Sequence, residues 1–533
     1  MPSATWAVNA DGIWSDAADW NPLGVPTAGD DVTINTTDLH TVTHGSGTDI
    51  INSLTVGNDN FVVSGGSLTL TAPSRFSPSS SFGQTLTISG GTLNLKQTSA
   101  TAADFVQSGG RLNFEGGRGL DVTGSAFFSD NCTVSGKGGV AISGSATVAS
   151  GAIITLGVNT GITFYGTTET VAGALTGGFF ETEGGETTLE SGATISTAHW
   201  AANGGVVHLG ENLTYAGDFS MEAVVSSPSM IRLGGYSFAL TGPVSFGFGA
   251  TVTGAGGLVT SGVTRLFDRT VAGVTLGAGV TWTNSGSVTQ QGTKRAEGLR
   301  GKSSVINQSA GVYDLAGDTG IAAASFVNQG LLEKTAGAGF SKVATAVANS
   351  GTISVATGTM LITGAVTGAG GATIAGGALH FGAAFDENVL FSAAAGGLVL
   401  ARSQAYGATI SGFAGTGRTY LDLRDIGFVK AGEATFSGTS TGGTLTVTDG
   451  THLAQINLTG NYLSSNFQAS SDSHGGVIVV ALAPAGATTT TVVPHRFIAA
   501  MAGFAPQTAA AAHIGWASEA QAPVLARPHG AIA

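Results

Sequence analysis

Short runs of alternating apolar and polar residues, cut at intervals by glycine, fill most of the chain. Four of them share one pattern: WTNSGSV (282–288), VINQSAGV (305–312), FVNQGLL (326–332) and VANSGTI (347–353). Each places an apolar residue two positions before an Asn, then a Gly, then a β-branched or aliphatic residue. The Asn residues are Asn284, Asn307, Asn328 and Asn349, separated by 23, 21 and 21 positions. A recurrence near 21 built of strand-length pieces and glycine turns is the signature of a solenoid. Helical repeats do not fit, because residues such as Thr352-Ile353-Ser354-Val355 alternate with period two and helical periodicity is missing.

The pattern predicts an all-β, right-handed parallel β-helix, with two or three short strands per coil and coils stacked about 4.8 Å apart. Asn tolerates the left-handed conformation of a corner. Stacked Asn side chains also pass amide hydrogen bonds from coil to coil. Asn284, Asn307, Asn328 and Asn349 are therefore expected to form an internal ladder. A second version of the repeat, FVVSGGSLTL (61–70), LTISGGTLNL (86–95) and FVQSGGRLNF (105–114), reads as strand, tight glycine turn, strand. Looser copies follow at 183–189, 203–209 and 375–381. Coils are assigned to residues 41–415, and about 21 residues per coil gives a rod roughly 80 Å long.

The two ends break the pattern. Residues 1–40 hold Trp6, Trp14 and Trp20 with Pro22 and Pro26. A solenoid has to cover the open strand edges of its first coil, and clustered Trp supplies the area. We assign 1–40 as an N-terminal cap, the alternative being an aromatic sugar-binding platform. Residues 416–484 lose the period and gather Asp422, Arg424, Asp425 and Asp449. They are expected to fold as antiparallel strands closing the far end. Residues 485–533 comprise a polar linker (487–494), a short amphipathic helix with Phe497, Ile498, Met501 and Phe504 on one face, and an Ala/Pro-rich tail.

Composition narrows the function. The chain has 533 residues, 85 of them Gly, with 42% apolar and 10% charged residues, against about 25% charged and 7% Gly in ordinary domains. Its mean hydropathy is positive, which argues against disorder. A net charge of −13 with 20 Lys plus Arg leaves no basic footprint for nucleic acid. No run of apolar residues is long enough to span a membrane. The opening MPSATWAVNADG lacks the basic start and apolar core of a secretory signal. Secretion or surface display is therefore expected by a non-Sec route, with the 497–504 face as a C-terminal signal, as a helix packed on the last coil as a cap, or as both. The lone Cys132 reads as small apolar filler.

Two segments carry a family resemblance. The spacing of Trp6, Trp14, Trp20, Pro22, Pro26 and the following DDVTI resembles the entry segment of large secreted bacterial β-strand-repeat proteins, adhesin-like and autotransporter-passenger-like. The run DLRDI, GGTLTVTDG, LTGNY, then SSDSHGG resembles a C-terminal module of large repeat proteins of α-proteobacteria. The resemblance implies a surface or secreted protein and no particular activity.

Candidate chemistry is sparse. GTSTG (438–442) fits the nucleophile-elbow pattern but is followed by strand-like TLTVTD rather than a helix. GKSS (301–304) lacks the earlier P-loop glycine, since Ala296 stands there. Glu181, Glu183, Glu186, Glu190, Glu211 and Arg232 gather charge in a charge-poor chain, with His199 and His208 nearby. Glu190, Glu211 and Arg232 are each 21 apart, which would stack them as an acid–base or calcium-binding set. Aligning the strands instead pairs Leu189, Leu209 and Leu233 and separates the three charges. Asp472, beside His474, is a weak calcium candidate, with a turn Asp bonded to its own backbone as the plainer reading. No cofactor is expected beyond that calcium. The leading expectation is an extracellular structural or adhesive protein that binds carbohydrate or copies of itself. The alternatives are a polysaccharide lyase or hydrolase and a phage tail-spike-like protein.

Overall fold

The chain is described here from a computed structural model. It describes residues 2–77, 85–117, 119–223, 228–267, 273–292 and 297–483. They form a parallel β-solenoid of about 18 turns. Most coils have three short strands, each feeding a separate parallel ladder. One coil shows the plan: Asp104–Gln107 joins the second ladder, Arg111–Glu115 the third and Leu120–Val122 the first. Inward positions alternate strictly with outward ones, as in Leu112 and Phe114 inside and Arg111 and Asn113 outside, which is the period-two pattern of the sequence made physical. The interior is a stack of Leu, Ile, Val and Phe running through the whole solenoid.

Between residues 131 and 209 the corners flatten, and single strands of 12 to 16 residues serve two or three ladders. Glycine permits this. Gly136 has φ +99°, and a Cβ there would collide with the Phe114 carbonyl oxygen of the preceding coil.

The third ladder is not continuous. Its first part ends on 194–197 and its second, a separate eight-stranded sheet, begins at Leu213–Tyr215 and ends at Val366–Thr367. At the break the Tyr215 hydroxyl donates to the Thr197 carbonyl oxygen at 3.1 Å. The rings of Trp200, Tyr215, Phe219 and Phe238 fill the interior there at centroid distances of 5.3 to 5.6 Å for the Trp200 contacts.

The N-terminal stretch differs from the separate cap read off the sequence. Ser3–Trp6 is already the first strand of the first ladder, in parallel register with Asp31–Thr33, so the solenoid starts near residue 3 rather than 41. Trp20–Asn21 folds back antiparallel onto Thr5–Trp6 and covers that ladder's edge. All three Trp rings are buried. Trp20 meets Trp6 and Trp14 edge-on at 5.0 and 4.9 Å, and Trp14 meets Phe61 of a later coil at 5.9 Å. Rings buried this way present no flat face to a sugar, which removes the platform alternative.

At the other end two antiparallel meanders finish the ladders. Leu453–Thr459 lands parallel on Thr409–Ser411 of the first ladder, and Gly442–Thr448 and Ala434–Gly438 follow it antiparallel. Val477–Leu482 lies antiparallel on Thr416–Leu423 of the second ladder, with Asn466–Ser471 outside it. The GTSTG segment is the turn between the first two of these strands. The linker 487–494 and the face of Phe497, Ile498, Met501 and Phe504 lie outside the described residues, as does all of 485–533.

Candidate functional site

The interior polar chemistry is a ladder of amides. Asn284, Asn307, Asn328 and Asn349 occupy equivalent positions in neighbouring strands and are buried. Each Nδ2 donates to the next Oδ1, at 2.9, 2.9 and 2.8 Å. The chain of donors extends beyond the Asn residues. The Trp282 indole N–H donates to Thr260 Oγ1 at 3.0 Å, whose hydroxyl donates to Asn284 Oδ1 at 3.2 Å. At the far end Asn349 Nδ2 donates to Glu387 Oε2 at 2.6 Å. A run of aligned amides needs a donor to start it and an acceptor to end it, and the indole and the carboxylate supply these. Glu387 is raised by burial, against the stabilising bond from Asn349. This ladder is structural, because none of its groups reaches the surface.

The outward chemistry concentrates on the first ladder between residues 161 and 221. In strands of period two, Phe179, His199 and Asp218 fall into one outward column, and Thr163, Glu181 and Ala201 into the next. The Phe179 and His199 rings stack at 5.0 Å with planes 7° apart. His199 Nδ1 lies 3.2 Å from Asp218 Oδ2. Asn203 Nδ2 donates to Glu181 Oε1 at 2.9 Å. Burial first, then the neighbouring Glu183 carboxylate, pushes Glu181 up to about 7, and Glu181 and Glu183 share a hydrogen bond. Glu181 therefore holds its proton to higher pH than an ordinary carboxyl does. Around this strip the charge is one-sided, since no Lys or Arg occurs between Lys137 and Arg232. Each ring covers one face of the other, and the rest of the stack, with an amide and carboxyls beside it, offers apolar contact and hydroxyl-bridging groups to a sugar.

Glu190, Glu211 and Arg232 are not brought together. Leu189 pairs with Leu209, so Glu190 follows at an exposed turn. Glu211 accepts the Gly192 backbone N–H at 2.8 Å and lies 3.5 Å from Ser191 Oγ, tying adjacent coils together where the third ladder breaks. Arg232 is exposed in register with His208. The register follows the strand alignment of Leu189 with Leu209 and not the equal 21-residue spacing, because coil lengths vary here and equal sequence steps are not equal turns of the solenoid.

Asp472 does not fit a cation. Its Oδ1 accepts the backbone N–H groups of His474 and Gly476 at 2.6 and 2.8 Å. Its Oδ2 faces the Arg424 guanidinium at 3.3 Å, which also pairs with Asp422 at 2.9 Å. A guanidinium stands where a cation would sit. Burial alone would raise the Asp472 carboxyl, but those backbone donors and Arg424 hold it low. Among the described residues no group of three or more His, Cys, Asp or Glu side chains is placed to hold a metal ion. Cys132 is buried, with its thiol pushed up to about 11 chiefly by burial.

Sequence reading did not find the Phe179–His199 stack or the Glu181–Glu183 pair as such. The available signal was an aromatic and a His 20 residues apart, one coil step in this region. It also missed the buried Lys334, whose Nζ donates to the carbonyls of Gly317 and Ala336 at 2.8 Å and meets Asp318 at 3.1 Å. Compared with family models, curated proteins and solved structures, the chain gives no match. Among the described residues no helix is long and apolar enough to cross a membrane.

Proposed function

We propose that the protein is an extracellular structural or adhesive solenoid, secreted or displayed at a cell surface, that binds carbohydrate on its outer strip. The observation that carries the reading is the outward Phe179–His199 stack flanked by Glu181, Asn203 and Asp218. The third ladder adds a hydroxyl-bearing flank. From Thr48 to Ser196 its outer column has Ser or Thr in every coil except that of Arg111. A shallow concavity of about 230 Å³ lies over Thr373, Asn388 and Leu390, a shape that suits attachment along a face. The acidic strip favours neutral or amino-sugar polymers over polyanionic ones.

One observation favours a second reading, a polysaccharide hydrolase or lyase. Glu181 is pushed up to about 7 beside a second carboxyl, and such pairs serve as acid–base sets. A panel of immobilised and soluble polysaccharides separates the readings. Adhesion predicts retention of intact polymer that Phe179→Ala and His199→Ala weaken. Release of reducing ends or unsaturated products, abolished by Glu181→Gln, would establish the enzyme instead.

A further inference from the structure

The ring stack and the shallow concavity share one face of the solenoid. The outer column of the first ladder that holds Glu181 continues in unbroken register through Ser245 and Thr289 to Thr373, Leu390 and Ser411. Phe179 and His199 stand two residues before Glu181 and Ala201 in their strands, and Gly371 and Asn388 stand two residues before Thr373 and Leu390. Nine coil steps separate Glu181 from Thr373, about 43 Å along the ladder at about 4.8 Å per step. The concavity at the far end is lined by Thr352, Gly371, Thr373, Asn388, Leu390 and Ser411 among others, none of them charged. It opens over Gly371, where a Cβ would meet nothing closer than the Asn388 carbonyl oxygen at 3.5 Å. Leu390, 45% exposed, gives it an apolar side, and the Thr and Ser residues give it hydroxyls. Asn388 turns its Oδ1 to the Thr409 backbone N–H at 3.0 Å and keeps its amide hydrogens for a ligand.

We infer that this concavity is a second subsite for the same polysaccharide, so that one polymer chain lies along the first ladder from the Phe179–His199 stack to Gly371. Pockets that enclose a whole small ligand begin near about 300 Å³. A shallow concavity of about 230 Å³ therefore seats one ring of a longer ligand. The inference rests on the glycan reading of the outer strip and adds the ligand class, an extended uncharged polymer at least about 43 Å long. Between the two sites the charged residues of the column are Arg265, Asp314 and Glu333. Charges of both signs along the path suit hydroxyls and oppose a uniformly charged polymer. Once a chain is long enough to reach from one site to the other, its second contact is intramolecular, and affinity rises without any new kind of contact.

Titration calorimetry of the full chain tests it, with a panel of soluble neutral and N-acetylated polysaccharides and their size-fractionated hydrolysates as probes and melting curves recorded alongside. Wild-type affinity is expected to rise by at least about tenfold once the fragments span about 43 Å. Gly371→Ile fills the concavity at an outward position and should lower affinity for the intact polymer by at least about tenfold, with short fragments bound as before. Phe179→Ala should weaken short and long chains alike. Leu390→Ser provides a second reading of the same site should Gly371→Ile fail to fold. Thr87→Ile, outward on the second ladder, should change neither affinity. Affinity that is independent of chain length overturns the inference. So does a polymer affinity that folded Gly371→Ile and Leu390→Ser both leave intact. Either result, with short fragments still lost in Phe179→Ala, leaves the proposed function standing. Binding of no polymer in the panel would overturn both.

Discussion

Asn328 shows how one residue type sets the stability of a coil. It donates to Asn349 and accepts from Asn307, and it is fully buried. Asn328→Ala strips Asn349 Oδ1 of its donor, while Asn307 Nδ2 keeps the Gly311 and Leu331 carbonyls, and is expected to cost about 1–3 kcal/mol, read from denaturant unfolding. The outward Asn203→Ala, whose partner Glu181 is reached by solvent, should cost far less. The terminator behaves differently. Glu387→Gln keeps an acceptor for Asn349 and should be nearly neutral, whereas Glu387→Leu should cost about 1–3 kcal/mol. Equal losses from the two would mean that the carboxylate does not end the ladder. The four Asn were legible because nearly constant spacing reports a repeated environment. Glu387 was not, because it lies 38 residues beyond Asn349, in a stretch without the repeat. Lys334 was equally hidden, since a lysine in an alternating strand reads as outward until its acceptors are seen.

At the level of elements, the alternation of apolar and polar residues specified strands and inward faces well. It could not specify which strands pair. The break in the third ladder at Leu213–Tyr215 illustrates this, because those residues alternate like any others and only their neighbours differ. Tyr215→Phe removes the bond to Thr197 and should cost about 1 kcal/mol, with hydrogen exchange rising in 194–197 and 213–215 before the rest. Uniform exchange would mean that the break is not a weak joint. The N-terminal Trp cluster was legible as a cover, but its merging with the first ladder was not, since pairing of Ser3–Trp6 with Asp31–Thr33 leaves no trace in spacing. Trp14→Ala empties a site packed against Trp20 and Phe61 and should cost about 3–5 kcal/mol. A variant that melts like the parent would contradict that packing.

The whole molecule should answer to pH in an unusual direction. Burial pushes Glu169, inside the second ladder, and Glu181, on the first, up to about 7. Folding therefore favours their protonated forms. That stabilisation is fully present below the ordinary value of 4.5 and is lost as pH rises through about 7. The melting temperature is expected to fall across this window, and Glu169→Gln, which keeps a partner for Thr187, should flatten the fall. A melting temperature that rises across the window would contradict the burial of these carboxyls. The same titration bears on the outer strip, because ionising Glu181 adds charge beside the Phe179–His199 stack. The measurement that tests the central claim most directly is retention and cleavage of one polysaccharide panel by wild type and Phe179→Ala, followed together in the same samples. The account predicts that wild type retains intact polymer, that Phe179→Ala retains little while melting at the same temperature, and that neither releases new chain ends. Equal retention by the two proteins, or new chain ends produced by wild type, would contradict it.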